Sequence, residues 1–553
     1  MGSPHCEEKM KKNDLIELTI EDISTEGLGI GHAEGMAVFV KDTVIGDRLL
    51  ARITAVRKNL AYARPEELLS PGACRVPAPC PQARRCGGCQ IQEMDYAAQL
   101  AFKEKKVRGS LERIGGFKEI PMEPVMGMEE PFRYRNKAQF PVGTDREGNL
   151  TAGFYAGRTH SIIDHHDCLL GAEENREILE TVLDHMRRYG IPAYNEETGK
   201  GLVRHVMTRK GFGTGQIMVC IVMNGTAMEA EEELADRLME IPGVCSVIAD
   251  VNRERTNVIM GKELRVIRGR DVIEDTIGDL RYRISPLSFY QVNPAQTEKL
   301  YGTVLEFADL QGTETVWDLY CGTGTISLFL ARRAKSVIGV EIIPEAVRDA
   351  QKNAELNGIG NARFLTGRAE DAAPEIYRSG KENADVVVVD PPRKGCAASL
   401  LETILLMRPG KIVYVSCDPA TLARDLKVLC AGGYELRRVR SCDMFPQTVH
   451  VETVCLLSKL HEAKHHIEVK VDMDELDLTS AEAKATYKEI QDWVQEKYGF
   501  HVTNLNIAQV KQKHGIIERE NYNKPKSEDI KQPGCPEEKV EAIEDALRYF
   551  QMI

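Results

Sequence analysis

Four short apolar runs between residues 286 and 459, TVWDLY, SVIGVEI, DVVVVD and KIVYVSC, limit what this chain can fold into more than anything else in it. None alternates polar with apolar, so each must be buried on both faces, and helical stretches lie between them. Such strands build a mostly parallel sheet with helices on both sides. Ligands of these sheets bind beyond the carboxyl ends of the strands. The residues at those ends are therefore the ones to read for chemistry.

The first run leads through Cys321-Gly322-Thr323-Gly324 into ISLFLA, a strand, glycine turn and helix. Gly322 and Gly324 let backbone approach a ligand closely, and Glu341 closes the next strand, where a carboxylate can accept from ribose hydroxyls. A dinucleotide fold prefers Gly or Ala at the third position of this loop, where Ser327 stands here. Asp390-Pro391-Pro392-Arg393 closes DVVVVD. A strand ending Asp-Pro-Pro after such a loop resembles the class I S-adenosylmethionine methyltransferases. Adenine N6 methylases follow the prolines with an aromatic, so Arg393 disfavours that class.

Cys417 lies directly after KIVYVS and just before a helix. A helix N-terminus lowers a thiol pKa, so a thiolate is expected. Methylating carbon 5 of a pyrimidine needs such a nucleophile at carbon 6 and a base to take the carbon 5 proton. Glu452, in FPQTVHVETVCLL, can supply that base. Five motifs in order, SPLSFYQVN, WDLYCGTG, DPPRKG, SCDP-x-TLARDL and HVETV, resemble the bacterial RNA uracil-5-methyltransferase family over about 13–459. The resemblance implies Cys417 as nucleophile, Glu452 as general base, and Gln291, Tyr320, Glu341 and Asp390 as S-adenosylmethionine contacts. It also implies that Phe289 stacks near the target uracil.

Upstream, residues 13–69 read as five or so short strands separated by glycines, an OB-like barrel. EGLGIGHAEGMAVFVKDTVIGD resembles the TRAM domain, an RNA-binding barrel. Cys80, Cys86 and Cys89 follow in an irregular loop, spaced C-x5-C-x2-C. Structural zinc favours two close pairs, whereas three clustered cysteines and a distant fourth suit a cubane iron–sulfur cluster. The fourth candidate is Cys168 or Cys74, and free thiols remain a reading. The ribosomal-RNA branch of the resembled family carries a [4Fe–4S] cluster on this spacing with a far-downstream fourth ligand. That implies Cys80, Cys86, Cys89 and Cys168. The tRNA branch generally lacks both cluster and TRAM domain. Tyr96, Leu100, Val107, Leu111 and Ile114 predict an amphipathic helix ending at Gly115-Gly116.

The expected architecture is thus multidomain: an OB-like TRAM barrel (11–70), an iron–sulfur α+β domain (71–285), a Rossmann-like methyltransferase domain (286–460) and a helical extension (461–553) of no recognised role. No run approaches the length of a membrane span, and the first residues show neither a secretory signal nor a myristoylation signal. Fifteen cysteines, several inside apolar runs such as Cys220 and Cys455, suit a reducing compartment. A cytoplasmic monomer is expected. Net charge is −12, against the basic balance usual for nucleic-acid binders. The stretch from His461 holds 13 Lys and Arg against 19 acids, about half of that excess. Local strips such as Arg133–Lys137 and Arg204–Lys210 can still meet phosphates. The reading is an enzyme making 5-methyluridine in 23S ribosomal RNA. Its alternatives are a tRNA uracil methylase and an inactive RNA-binding protein; an iron–sulfur redox enzyme would need a second redox centre.

Overall fold

The apolar runs form one eight-stranded sheet in the computed structural model, which describes residues 10–157, 159–379, 383–460, 487–514 and 536–550. Its strand order is Ala362–Thr366, Ser336–Glu341, Thr315–Leu319, Val386–Val389, Lys411–Ser416, Glu452–Lys459, Tyr434–Cys442, Met122–Met126. The first five are mutually parallel, and Glu452–Lys459 runs antiparallel to both its neighbours. Alternate residues serve opposite faces. Val386 and Val388 pack with Leu300 and Val304 of the helix Pro294–Ala308, while Val387 and Val389 pack with Leu400 and Ile404 of the helix Ala398–Met407. Burying each such side chain contributes about 1.5–3 kcal/mol, which is why these runs are mainly apolar. The order reverses between Thr315–Leu319 and Val386–Val389, and a crevice opens at such a switch point.

At the N-terminus a six-stranded sheet runs in the order Leu15–Thr19, Arg48–Val56, Leu60–Ser70, Met36–Val40, Gly29–Ala33, Asp22–Ile23. It encloses Leu18, Val38, Leu49 and Ile53. The central α+β part is a seven-stranded sheet, from Ile162–Asp164 at one edge to Glu263–Gly269 at the other, with the helices Asn175–Arg188 and Glu231–Met239 packed on it.

The predicted amphipathic helix is present as Tyr96–Ser110, capped by Asp95, whose carboxylate accepts from Ala98 N at 2.8 Å. It widens into a π-turn at Leu111–Gly115 and stops at Gly116, φ +76°. Its buried face differs from the expected apolar stripe. Gln99 and Lys103 are buried beside Phe102 and Val107, whereas Ile114 is exposed. The strand that follows, Met122–Met126, pairs with Tyr434–Cys442, so a stretch assigned by sequence to the central domain completes the edge of the catalytic sheet.

The chain divides into two compact units at His461/Glu462. The second contains the helices Tyr487–Tyr498, Asn504–Lys513 and Glu537–Tyr549 around Ile490, Val494, Ile507, Ile543 and Leu547. Among the described residues, no helix is long and apolar enough to cross a membrane.

Candidate active site

The carboxyl ends of the parallel strands open into a cleft of about 1730 Å³. Phe289, Gln291, Tyr320, Gly322, Glu341, Asp390, Cys417 and Glu452 all line it. Gly324 stands behind the wall, where φ +78° begins the helix Thr325–Ala331 and a Cβ would press on Ala350 and Phe364 at 3.0 Å. At Gly322, φ +54°, a Cβ would meet nothing within 4 Å, so bare backbone faces the cleft. Gly322 N donates to Glu341 Oε2 at 3.1 Å and Ile343 N to Glu341 Oε1 at 2.9 Å. The Glu341 carboxylate is thereby fixed in direction while keeping lone pairs for hydroxyl donors. Ser327, unusual for a dinucleotide loop, donates its hydroxyl to buried Asp318.

The cysteine and glutamate come together through strand register. Ser416 pairs with Thr453 in the antiparallel ladder, so the next residue of one strand and the preceding residue of the other, Cys417 and Glu452, are neighbours. Antiparallel partners point to the same side of a sheet. Burial and the nearby Asp390 push the Glu452 carboxyl up to about 8, against the pull of Arg393. Burial alone raises Asp390 to about 6.

The lowered thiol pKa expected of Cys417 is not found. Burial, then Glu452 and Asp390, push it up to about 11, with Arg393 opposing. The following helix, Pro419–Ala431, cannot compensate, because its cap Asp418 accepts from Ala420 N at 2.9 Å and Thr421 N at 3.0 Å. A carboxylate thus already occupies the helix N-terminus.

The comparisons with known proteins agree with this cleft. A family model described as tRNA (Uracil-5-)-methyltransferase matches residues 226–460, and the TRAM domain matches 10–65. An uncharacterized RNA methyltransferase of Halalkalibacterium halodurans is 50% identical over 449 residues, 81% of this chain and 98% of that protein. One from Bacillus cereus is 48% identical over 454 residues, 82% of this chain and 98% of its own length. The chain belongs to the RNA uracil-5-methyltransferase family. Among solved structures, the Pyrococcus abyssi tRNA (uracil-54, C5)-methyltransferase bound to S-adenosyl-L-homocysteine is similar at TM-score 0.65 and 27% identity, covering 80% of this chain and 100% of that one. The methyltransferase is S-adenosylmethionine-dependent, and the family model ends at the boundary of its second compact unit.

A second cavity of the methyltransferase, about 410 Å³, is lined by Cys80, Cys86, Cys89 and Cys168 together with His165, His205 and Arg135. Cys80 Sγ lies 3.8 Å from His165 Nε2, Gly88 N donates to Cys86 Sγ at 3.4 Å, and Gln92 Nε2 donates to Cys89 Sγ at 3.6 Å. Burial, then Cys168, Cys86 and Cys80, push the Cys89 thiol up to about 12. Cys74 does not line this cavity; its thiol donates to Ile45 O at 3.6 Å. Among the described residues, no three His, Cys, Asp or Glu side chains are grouped to hold a metal ion. The four thiols thus share a cavity without the tight convergence that a single ion demands. Four thiols, with His165 beside Cys80, are donor chemistry of the kind that iron–sulfur clusters use.

Much of the basic strips is turned inward rather than laid on the surface. Tyr134, Phe140, Arg204, His205 and Arg209 are buried. Arg204 packs on the Tyr194 ring at 4.5 Å and donates to Asn252 O and Glu254 O, and Arg133 pairs with Asp167. Arg209 donates to Pro286 O and Ser288 O, holding the segment below Phe289. Arg135 alone of these residues reaches the cleft, and it lines the cysteine cavity too. Among the cleft residues given no role by the sequence are Arg393, Asp349, Phe445 and His450. Arg393 lies within DPPRKG and His450 within HVETV, whereas Phe445 and Asp349 lie outside the five motifs.

Proposed function

We propose that the methyltransferase makes 5-methyluridine in 23S ribosomal RNA through a covalent adduct between Cys417 and carbon 6 of the target uracil. The observation that carries this reading is the register that sets Glu452 beside Cys417 in the cleft. Cys417 Sγ forms a bond to carbon 6, and the ring electrons move into an enolate whose carbon 5 takes the methyl group. Bound S-adenosylmethionine supplies that methyl as an electrophile on a sulfonium. Glu452 then removes the carbon 5 proton, and the returning electrons break the bond to Cys417. Gln291, Tyr320, Gly322, Glu341 and Asp390 hold the methyl donor, and Gly324 shapes the turn beneath it. Phe289, 68% exposed at the rim, stacks on the uracil turned out of its RNA.

In this reading Cys80, Cys86, Cys89 and Cys168 hold a [4Fe–4S] cluster, and no step above passes through it. The TRAM barrel and the cysteine cavity support a ribosomal substrate, because the ribosomal-RNA branch that the sequence resembles carries both. The similarity to an archaeal tRNA enzyme favours tRNA as the second reading. The protein acts as a cytoplasmic monomer. Mapping 5-methyluridine in ribosomal RNA and tRNA from cells lacking this protein separates the substrates. Loss from ribosomal RNA is the expected result, and loss from tRNA alone would overturn it.

A further inference from the structure

The loop between Cys442 and Glu452 contains an unexplained strained residue. Gln447 is buried with φ +70°, a conformation that costs a non-glycine residue about 1–3 kcal/mol unless its surroundings enforce it. Two segments enforce it here. From the helix Tyr96–Ser110, Gln99 Oε1 accepts from Gln447 N at 3.0 Å and Gln99 Nε2 donates to Gln447 Oε1 at 2.9 Å. From the cysteine loop, Gln90 N and Ile91 N both donate to Gln447 O, at 3.1 and 3.3 Å. Gln90 follows Cys89 directly. Its side-chain nitrogen donates to Gly87 O at 2.8 Å, inside the Cys86–Cys89 turn, and its oxygen accepts from Val449 N at 3.4 Å. One amide side chain therefore bridges the turn bearing two candidate cluster ligands to the residues entering Glu452. This also accounts for the polar buried face of the helix.

We propose that Gln90, which fastens the 443–451 loop to the cysteine loop, and Gln99, which fastens it to the helix Tyr96–Ser110, are positioning residues, so that ordering of the cysteines sets the geometry of proton removal by Glu452. The inference rests on the proposed roles of Glu452 and of the cysteines. A loaded cluster would fix the 86–89 turn, the turn would fix Gln90, and Gln90 with Gln99 would hold Gln447 in its strained conformation. Addition by Cys417 depends on the neighbouring strand and is affected less.

The test uses the full chain, purified anaerobically, as wild type, Gln90→Ala and Gln99→Ala. Iron content, binding of S-adenosylmethionine, amide exchange and covalent adduct on an RNA fragment are measured on each. Both variants should bind the donor normally and accumulate adduct, because elimination slows more than addition. Exchange at 447–449 should quicken about five- to tenfold, as expected for one lost hydrogen bond. Chelating iron from the wild type should quicken exchange at the same amides. If elimination and addition slow equally, or neither slows, the glutamines are merely structural or idle and the proposal fails. If chelation quickens 80–92 but not 447–449, the coupling fails. Should Gln90→Ala lose iron, Gln99→Ala, which does not touch the cysteine loop, must still accumulate adduct or the proposal is refuted. A wild type without iron would sink the cluster reading alone, and the two variants would still decide the fastening.

Discussion

Replacing Glu452 by Gln separates the two halves of the proposed chemistry. The amide keeps the size of the side chain but cannot accept a proton. Addition of Cys417 and methyl transfer should proceed, and the enzyme should stall as a covalent complex with methylated RNA. Loss of a positioned base costs about 10²–10⁴ in the step that it serves. The wild-type step should carry the pH signature of this carboxyl group. Burial and Asp390 hold it at about 8, so its ionised fraction is about 1% at pH 6, a tenth at pH 7 and half at pH 8. Release of product should therefore rise about tenfold from pH 6 to 7, about fivefold more to pH 8, and less than twofold beyond. Glu452→Gln should lose this dependence. The assay is a single turnover on an RNA fragment, quenched at intervals, with the slow band on a denaturing gel giving the adduct. Cys417→Ala should show neither methylation nor band. Cys442 and Cys455 are buried in the sheet, and their replacement should leave the band in place. Normal turnover by Glu452→Gln would remove it from the base role, and a band surviving Cys417→Ala would refute the mechanism.

Anaerobically purified protein should carry about four irons per chain; Cys168→Ser should lose them and Cys74→Ser keep them, and the reverse would overturn the ligand assignment. Iodoacetamide should modify Cys417 slowly in the free enzyme. A pKa of about 11 rather than 9 makes thiolate about a hundredfold scarcer, and its higher nucleophilicity recovers about tenfold, leaving a net slowing of about tenfold against an unperturbed thiol. Lys103→Met should cost about 3–5 kcal/mol in denaturant unfolding, because it strands the buried Asp443 carboxylate, and adding Asp443→Leu should restore much of that. Removing residues 466–553 should leave methyl transfer to an RNA fragment largely intact, since the catalytic sheet lies wholly in the first unit. A shortened protein that binds the donor but cannot methylate would contradict this.

The parallel sheet and its cleft were legible because burial on both faces leaves a signature in single residues: Val386–Val389 is short, wholly apolar and β-branched throughout, as an interior strand is. The pairing of Cys417 with Glu452 is of another kind. They lie 35 residues apart in the sequence, and only the antiparallel return of Glu452–Lys459 beside Lys411–Ser416 brings them together. Motif resemblance named both residues without supplying that geometry. The thiol pKa was misjudged because a rule about helix ends ignores burial and the neighbouring Glu452 and Asp390, which push the thiol up, and because Asp418 already caps that helix. The basic strips misled for a related reason. Arg204 and Arg209 satisfy buried carbonyls of neighbouring loops, and nothing in composition separates such arginines from phosphate binders. Likewise Gln99 and Lys103 fall outside the helix's apolar stripe, yet they are buried because their partners in the 443–447 loop arrive from more than 300 residues away.

The electrostatics of the cleft tie these parts together. Cys417, Asp390 and Glu452 are each held in the protonated direction by burial, and Cys417 and Glu452 also by neighbouring acids. Arg393 opposes this for both Cys417 and Glu452. The corner of the cleft that holds Cys417, Asp390 and Glu452 is acidic, and a bound sulfonium would be its complement. In the proposed mechanism that charge would favour the anionic forms beside it, so the thiol would become a nucleophile chiefly when a methyl group is at hand. Transfer of the methyl group removes that charge. Glu452 would then return toward its raised pKa, and a carboxylate of higher pKa would be the stronger base for the proposed removal of the carbon 5 proton. In the proposed mechanism the same burial that keeps Cys417 quiet in the free enzyme would therefore strengthen the base that later releases it.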